Sequence, residues 1–124
     1  MLRIKRIYEP PSKKDGRRIL VDRVWPRGFT KEKASVDEWR KDLAPSDSLR
    51  KWFGHDPKKW EEFRERYRRQ LQKEGKGSDL KAIAQRAKRE NVTLVFSAKD
   101  EEHNQAVALK EVIEGWRPRR TEEE

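Results

Sequence analysis

The sequence predicts an α/β fold, a small mostly parallel sheet with helices packed around it, and three observations carry that prediction. Residues 19–24 and 92–96 are short β-branched runs with apolar residues on both faces, the pattern of strands buried in a parallel sheet. The stretch between them, residues 35–90, carries helical periodicity, which makes it a helix-rich insertion between the second and last strands. A chain of 124 residues is long enough for one core and too short for two, so residues 1–116 read as a single α/β domain and residues 117–124 as a charged C-terminal tail.

The elements follow in order. Leu2, Ile4 and Ile7 with Tyr8 predict a first strand, which Pro10 and Pro11 end because they bring no N–H to a ladder. Lys13-Lys14-Asp15-Gly16 is a turn. Ile19 to Val24 predicts a second strand, stopped by Pro26 and Gly28, with Leu20 and Asp22 on one face and Ile19, Val21 and Arg23 on the other. Ser35-x-x-Glu38 has the form of a capping box, and Val36, Trp39 and Leu43 are spaced for a short helix that Pro45 ends. Leu49, Trp52 and Phe53 predict a further short helix, broken at Gly54.

Asp56-Pro57 is an N-cap followed by proline at the first helical position, and it opens a long helix whose inner face is Trp60, Phe63, Tyr67 and Leu71. After Gly75-Lys76-Gly77 the next helix is expected to be capped by Ser78 and to bury Leu80, Ile83, Ala84 and Ala87, with Asn91 as a left-handed stop. Val92 to Phe96 is the clearest strand. Asp100 reads as the N-cap of a final helix that carries Ala106, Leu109, Val112 or Ile113, and Trp116.

Composition excludes several kinds of chemistry. There is no Cys, which removes disulfides, thiolate nucleophiles and Cys-ligated zinc together. Two His, His55 and His103, are too few for a zinc site built by the protein, so no metal and no cofactor are expected. The abundance of Lys, Arg and Glu over Asn, Gln and Met is a thermophile-like balance. No signal peptide or membrane-spanning run is visible, and a cytoplasmic location is the expectation.

The formal charge of +9 is unevenly placed. Residues 1–33 hold eleven Lys/Arg against four Asp/Glu, a net of +7, and residues 34–124 hold 21 against 19, a net of +2. A positive excess of this kind favours an anionic partner, either a small phosphate or carboxylate compound or a nucleic-acid backbone.

Ligands of parallel α/β sheets sit at the carboxyl ends of the strands. Two segments meet that description: Asp22-Arg23-Val24-Trp25-Pro26-Arg27-Gly28 and Ser97-Ala98-Lys99-Asp100-Glu101-Glu102-His103-Asn104. Their residue types suit an oxyanion. Arg23 and Arg27 offer guanidinium forks, Lys99 and the N–H groups opening the last helix add positive charge, Ser97 and Asn104 can donate hydrogen bonds, and Trp25 gives a flat apolar surface. Asp22 and His103 are the candidates for acid–base chemistry. Each also has a structural reading: Asp22 and Arg23 as an ion pair, Trp25 as core, Lys99 as a solvated loop residue, His103 and Asn104 as partners of backbone groups.

The long helix offers a second function. From Lys58 to Lys73 it carries seven Lys/Arg against three Glu, so its outer face could contact nucleic-acid phosphates or form ion pairs with its own glutamates. The chain has no helix-turn-helix, zinc-finger or RNA-binding signature, and such binding would be non-specific. Its oligomeric state is not encoded in any pattern of the sequence.

RILVDRVWPRG, LAPSDSLRKWFGHDPKKWEEFRERY and VTLVFSAKDEEHNQAVAL resemble the signature blocks of the YeaO-like family, a domain of unknown function, over residues from about Ile4 to Trp116. The resemblance implies an α/β fold and brings no activity with it. Larger members of the same superfamily are similar at a strand running into Val-Asp-x-Arg and at a final strand leading to Cys-His-Arg before a helix. Here Val21-Asp22-Arg23 departs from the first pattern by one position, and Asn104-Gln105 stand where that Cys and His would align. A cysteine-dependent reaction therefore does not carry over.

Overall fold

The computed structural model describes residues 1–115; Trp116 and the expected tail at 117–124 lie outside the described residues. Four strands form one sheet: β1 (Leu2–Arg6), β2 (Arg17–Leu20), β3 (Glu38–Trp39) and β4 (Val92–Phe96). Their order is β1-β4-β2-β3 and every pairing is parallel. The strand with the most apolar run, β4, takes an inner position, where all five of its residues are buried. Five helices accompany the sheet: α1 (Lys31–Ala34), α2 (Asp47–Phe53), α3 (Trp60–Lys73), α4 (Gly77–Ala87) and α5 (Gln105–Gly115).

The two faces of the sheet are covered differently. Ile19, Val21, Leu94 and Phe96 face helices α2 to α5, where Phe63, Tyr67, Leu71 and Leu109 complete the main core. Burying a side chain of this size is worth about 1.5–3 kcal/mol, and the Tyr67 hydroxyl keeps a partner by donating to the Leu43 carbonyl. The other face carries a small apolar cluster of Ile7, Leu20, Ala34 and Val95, packed under Trp25, Phe29 and Val36. Beside this cluster lies a polar network. Asp15, 1% exposed, accepts from Arg18 Nη1 at 2.6 Å and Lys5 Nζ at 3.1 Å, while Thr93 Oγ1 donates to the Asp15 carbonyl at 2.7 Å.

Several local expectations are corrected. The helix expected at residues 35–43 does not form. Thr30 caps α1 instead, Ser35 ends it in a left-handed conformation (φ 50°), and residues 37–40 run extended along the open edge of β2. Asp37 N donates to the Arg18 carbonyl at 2.8 Å, the Arg18 N–H donates to Asp37 Oδ2 at 2.8 Å, and Arg40 N donates to the Leu20 carbonyl at 2.8 Å. An edge of unpaired backbone groups outcompetes a local capping box because each buried group needs a partner. The second strand ends at Leu20 rather than Val24, its last ladder bond running from Val21 N to the Val95 carbonyl at 3.0 Å.

Ser78 is not a cap; α4 already begins at Gly77 after Lys76. Nor is Asn91 left-handed. Its side chain donates to the Lys14 carbonyl at 2.7 Å, and its own carbonyl accepts from Arg17 N at 3.0 Å, which ties the turn before β2 to the entry of β4. The final helix starts at Gln105 with Asn104 as its cap, Oδ1 accepting from Val107 N at 3.0 Å. Asp100 closes the preceding loop instead, by accepting from the N–H groups of Glu102 and His103.

Candidate functional site

The connection after β2 leads towards β3, whereas β4 is followed by α5, which packs across β4 and β1. Adjacent parallel strands whose connections diverge leave a crevice beyond their carboxyl ends. A cavity of about 170 Å³ lies there, lined by Asp22, Arg23 and Val24 after β2 and by Ser97, Ala98, Asn104 and Gln105 after β4. Pro45, Arg50, Phe53, His55 and Phe63 close it from the helical side.

Asp22 is the buried charged group of this cavity, 6% exposed. Its main chain is fixed from the edge strand, where Trp39 Nε1 donates to the Asp22 carbonyl at 2.8 Å. Its Oδ1 accepts from Gln105 Nε2 at 2.6 Å and from Ser97 N at 3.4 Å. The two strand-end segments are therefore in direct contact. Burial pushes the Asp22 carboxyl above its ordinary value, and the Ser97 and Gln105 donors pull against burial without cancelling it.

The mouth carries positive charge. Arg23 Nε and Arg50 Nη2 each lie 3.3 Å from Asp47 Oδ1, so two guanidinium groups share one carboxylate. His55 stands beside them on a left-handed backbone (φ 57°), directly after Gly54, itself left-handed (φ 53°) as the C-cap of α2. A positive φ is uncommon outside glycine, and here it turns the chain so that His55 joins the lining. The wall beneath is apolar, with the Phe53 and Phe63 rings stacked at 4.2 Å between centroids.

Of the residues singled out from the sequence, Asp22, Arg23, Ser97 and Asn104 line the cavity. Asn104 is committed to local bonds, since its amide also donates to the Asp100 carbonyl at 2.8 Å. Trp25 lies with the small cluster on the other face of the sheet, its indole donating to the Phe29 carbonyl at 2.6 Å and packing edge-on against Trp39. Arg27 and Lys99 are exposed and outside the lining. His103 is also outside it, paired through Nδ1 with Asp100 Oδ2 at 3.0 Å and packed edge-on against Trp60.

Arg50, His55 and Gln105 were missed. The Gly54-His55-Asp56-Pro57 turn was the available signal for His55, because it joins a helix stop to a helix start. Gln105 was marked by its place where the larger relatives' His would align, whereas Arg50 carries no mark that separates it from other surface-helix residues. Among the described residues no cluster of His, Asp and Glu suitable for a metal ion occurs, and no helix is long and apolar enough to cross a membrane.

Comparison with known proteins gives the family. A family model described as the inactive DUF488-N3 subclade matches residues 1–124. This chain belongs to that family. It is 43% identical over 109 residues to the uncharacterized protein YeaO of Escherichia coli strain K12, covering 87% of this chain and 92% of that protein. It is 35% identical over 114 residues to the uncharacterized protein Rv3073c of Mycobacterium tuberculosis strain H37Rv, covering 92% and 94%. The YeaO-like resemblance of the signature blocks thus holds over most of the chain. No solved structure gives a significant match.

Proposed function

We propose that this protein binds a small molecule bearing a phosphate or carboxylate in the cavity at the ends of β2 and β4, and that it does so without turning the molecule over. The observation that carries this reading is the pair Arg23 and Arg50 sharing the single Asp47 carboxylate at the mouth of a cavity with an apolar wall. Such an arrangement leaves net positive charge and unspent N–H donors for an oxyanion. His55 adds a further donor at the same rim. The description of the family as an inactive subclade supports binding in place of catalysis, as does Asn104-Gln105 at the helix start, where neither residue is a nucleophile.

Nucleic-acid binding draws less support. Along α3, Arg64, Arg66, Arg68 and Arg69 are each paired with a glutamate, and in the N-terminal region Lys5, Arg17 and Arg18 are paired with Asp15 or Glu38. Cations engaged in this way offer less to a phosphate backbone.

The test is calorimetric titration with inorganic phosphate and with acetate at moderate salt. The expected result is binding by the wild type and a loss of about tenfold in Arg50→Ala, with Arg27→Ala unchanged. Anion binding that survives Arg50→Ala, or that falls equally in Arg27→Ala, would sink the reading in favour of diffuse surface charge.

A further inference from the structure

The cavity has a second polar end, and this end differs in kind from the first. At the mouth the available groups are donors: Arg23, Arg50 and His55. At Asp22 the available group is an acceptor. That carboxylate receives neutral donors alone, the Gln105 amide and the Ser97 N–H and hydroxyl, and no described cation pairs with it. Gln105 spends its NH2 on Oδ1, and no described residue donates to its Oε1. A carboxylate on a residue only 6% exposed is costly to hold charged with no cation beside it. The arrangement is stable in a ligand-binding cavity if a ligand supplies a cationic N–H donor.

We infer that the ligand carries an amino group that docks on the Asp22 carboxylate, opposite an anionic group held by Arg23 and Arg50, so that Asp22 selects amino-bearing anions over plain ones. This rests on the binding reading given above and names the ligand class for the same site. A cavity of about 170 Å³ suits a compact bifunctional molecule of this type. The stacked Phe53 and Phe63 rings offer the apolar surface between the two ends, enough for a short alkyl or small planar spacer. The charge order also follows: an ammonium at the Asp22 end would be repelled from the two guanidinium groups, and a phosphate at the mouth would be repelled from Asp22, so one orientation is favoured.

The probes are a series of ω-aminoalkyl phosphates with two to five carbons, the plain alkyl phosphates of the same lengths, and phosphocholine, which keeps the positive charge and has no N–H. Titration calorimetry on the wild type is expected to show at least one aminoalkyl phosphate binding about tenfold more tightly than its alkyl counterpart and than phosphocholine. In Asp22→Asn that preference should fall to within about twofold, with the alkyl phosphates unaffected, whereas Arg50→Ala should weaken all the phosphates and keep the preference. Alkyl and aminoalkyl phosphates binding alike in the wild type would overturn the inference and leave the anion site standing. Equal preference for phosphocholine would overturn it too, because charge alone would then be recognised. If none of the phosphates binds, the anion site itself fails and the inference falls with it. Circular dichroism melts of both variants check that the fold is retained.

Discussion

Asp15 and Asp22 are both buried carboxylates at opposite ends of β2, and their surroundings differ in every respect that matters for function. Asp15 is enclosed by two cations, Arg18 at 2.6 Å and Lys5 at 3.1 Å, with the Ser12 N–H at 3.0 Å as a third donor. Burial alone would raise it, but the Ser12 N–H, Lys5 and Arg18 together hold it below its ordinary value. Asp22 has only neutral donors, and burial prevails. One carboxylate is locked into place by Lys5 and Arg18, which tie the turn before β2 to the strands β1 and β2. The other stands on a cavity wall with neutral donors and no described cation beside it. Burial does not by itself set the state of a carboxylate; the charge of the partners that reach it does.

The largest effect expected from this contrast is at Arg18. Arg18→Ala leaves Asp15 charged, buried and short of its closest partner, and also removes the bonds to the Ser35 and Ala34 carbonyls. A loss of about 3–5 kcal/mol in urea unfolding is expected, partly recovered when Asp15→Asn is added. A loss under about 1 kcal/mol would show that the network is not a stabilising lock.

Gly16→Ala comes next. At φ +63° its added Cβ would stand 2.0 Å from the Asn91 carbonyl oxygen, so the turn that carries Asp15 must move. About 2–3 kcal/mol is expected, measured the same way.

Asp22→Asn is expected to fold with no loss at neutral pH, and the pH dependence gives its sign. A raised folded-state pKa makes Asp22 contribute stability that is complete below the ordinary carboxylate range and lost as pH rises through the raised value. The variant should therefore gain on the wild type with rising pH across that window. Asp15, held low, contributes stability that is present above the ordinary range and lost as pH falls through its depressed value, so the Asp15→Asn variant should lose its deficit only in acid. Parallel slopes in the two variants would erase the distinction drawn here. The smallest effect is Arg27→Ala, within about 0.5 kcal/mol, because its side chain is exposed and outside both clusters.

The legible parts of the fold were those whose signals are local and strong. The run at β4, the Asp56-Pro57 start and the Phe63, Tyr67, Leu71 face of α3 appear where the local signals placed them, and β2 overlaps its expected run at Ile19 and Leu20. The failures share a cause. The capping box at Ser35 was a genuine local pattern, but β2 had an open edge, and pairing Asp37 to Arg40 with it satisfied more backbone groups than a short helix would. Alternation misled at Asp22 because the strand ends two residues earlier, so Asp22 leaves Leu20's side of the sheet and joins the cavity. Strand-end logic named Asp22, Arg23, Ser97 and Asn104, which line the cavity. It could not separate them from Trp25, Arg27, Lys99 and His103, since all eight share the same short segments and only the packing around them differs.

By itself the sequence determined the fold class, the family and the position of β4, because hydrophobic periodicity and turn residues act over a few positions. The tertiary structure alone decided that β4 lies between β1 and β2, and hence that Asp22 meets Ser97 from 75 residues away. It also decided that Arg18 and Lys5 are spent on Asp15 while Arg23 and Arg50 remain at an open mouth. A charged residue's role depends on which partner reaches it, and that is fixed by long-range packing that no local pattern encodes.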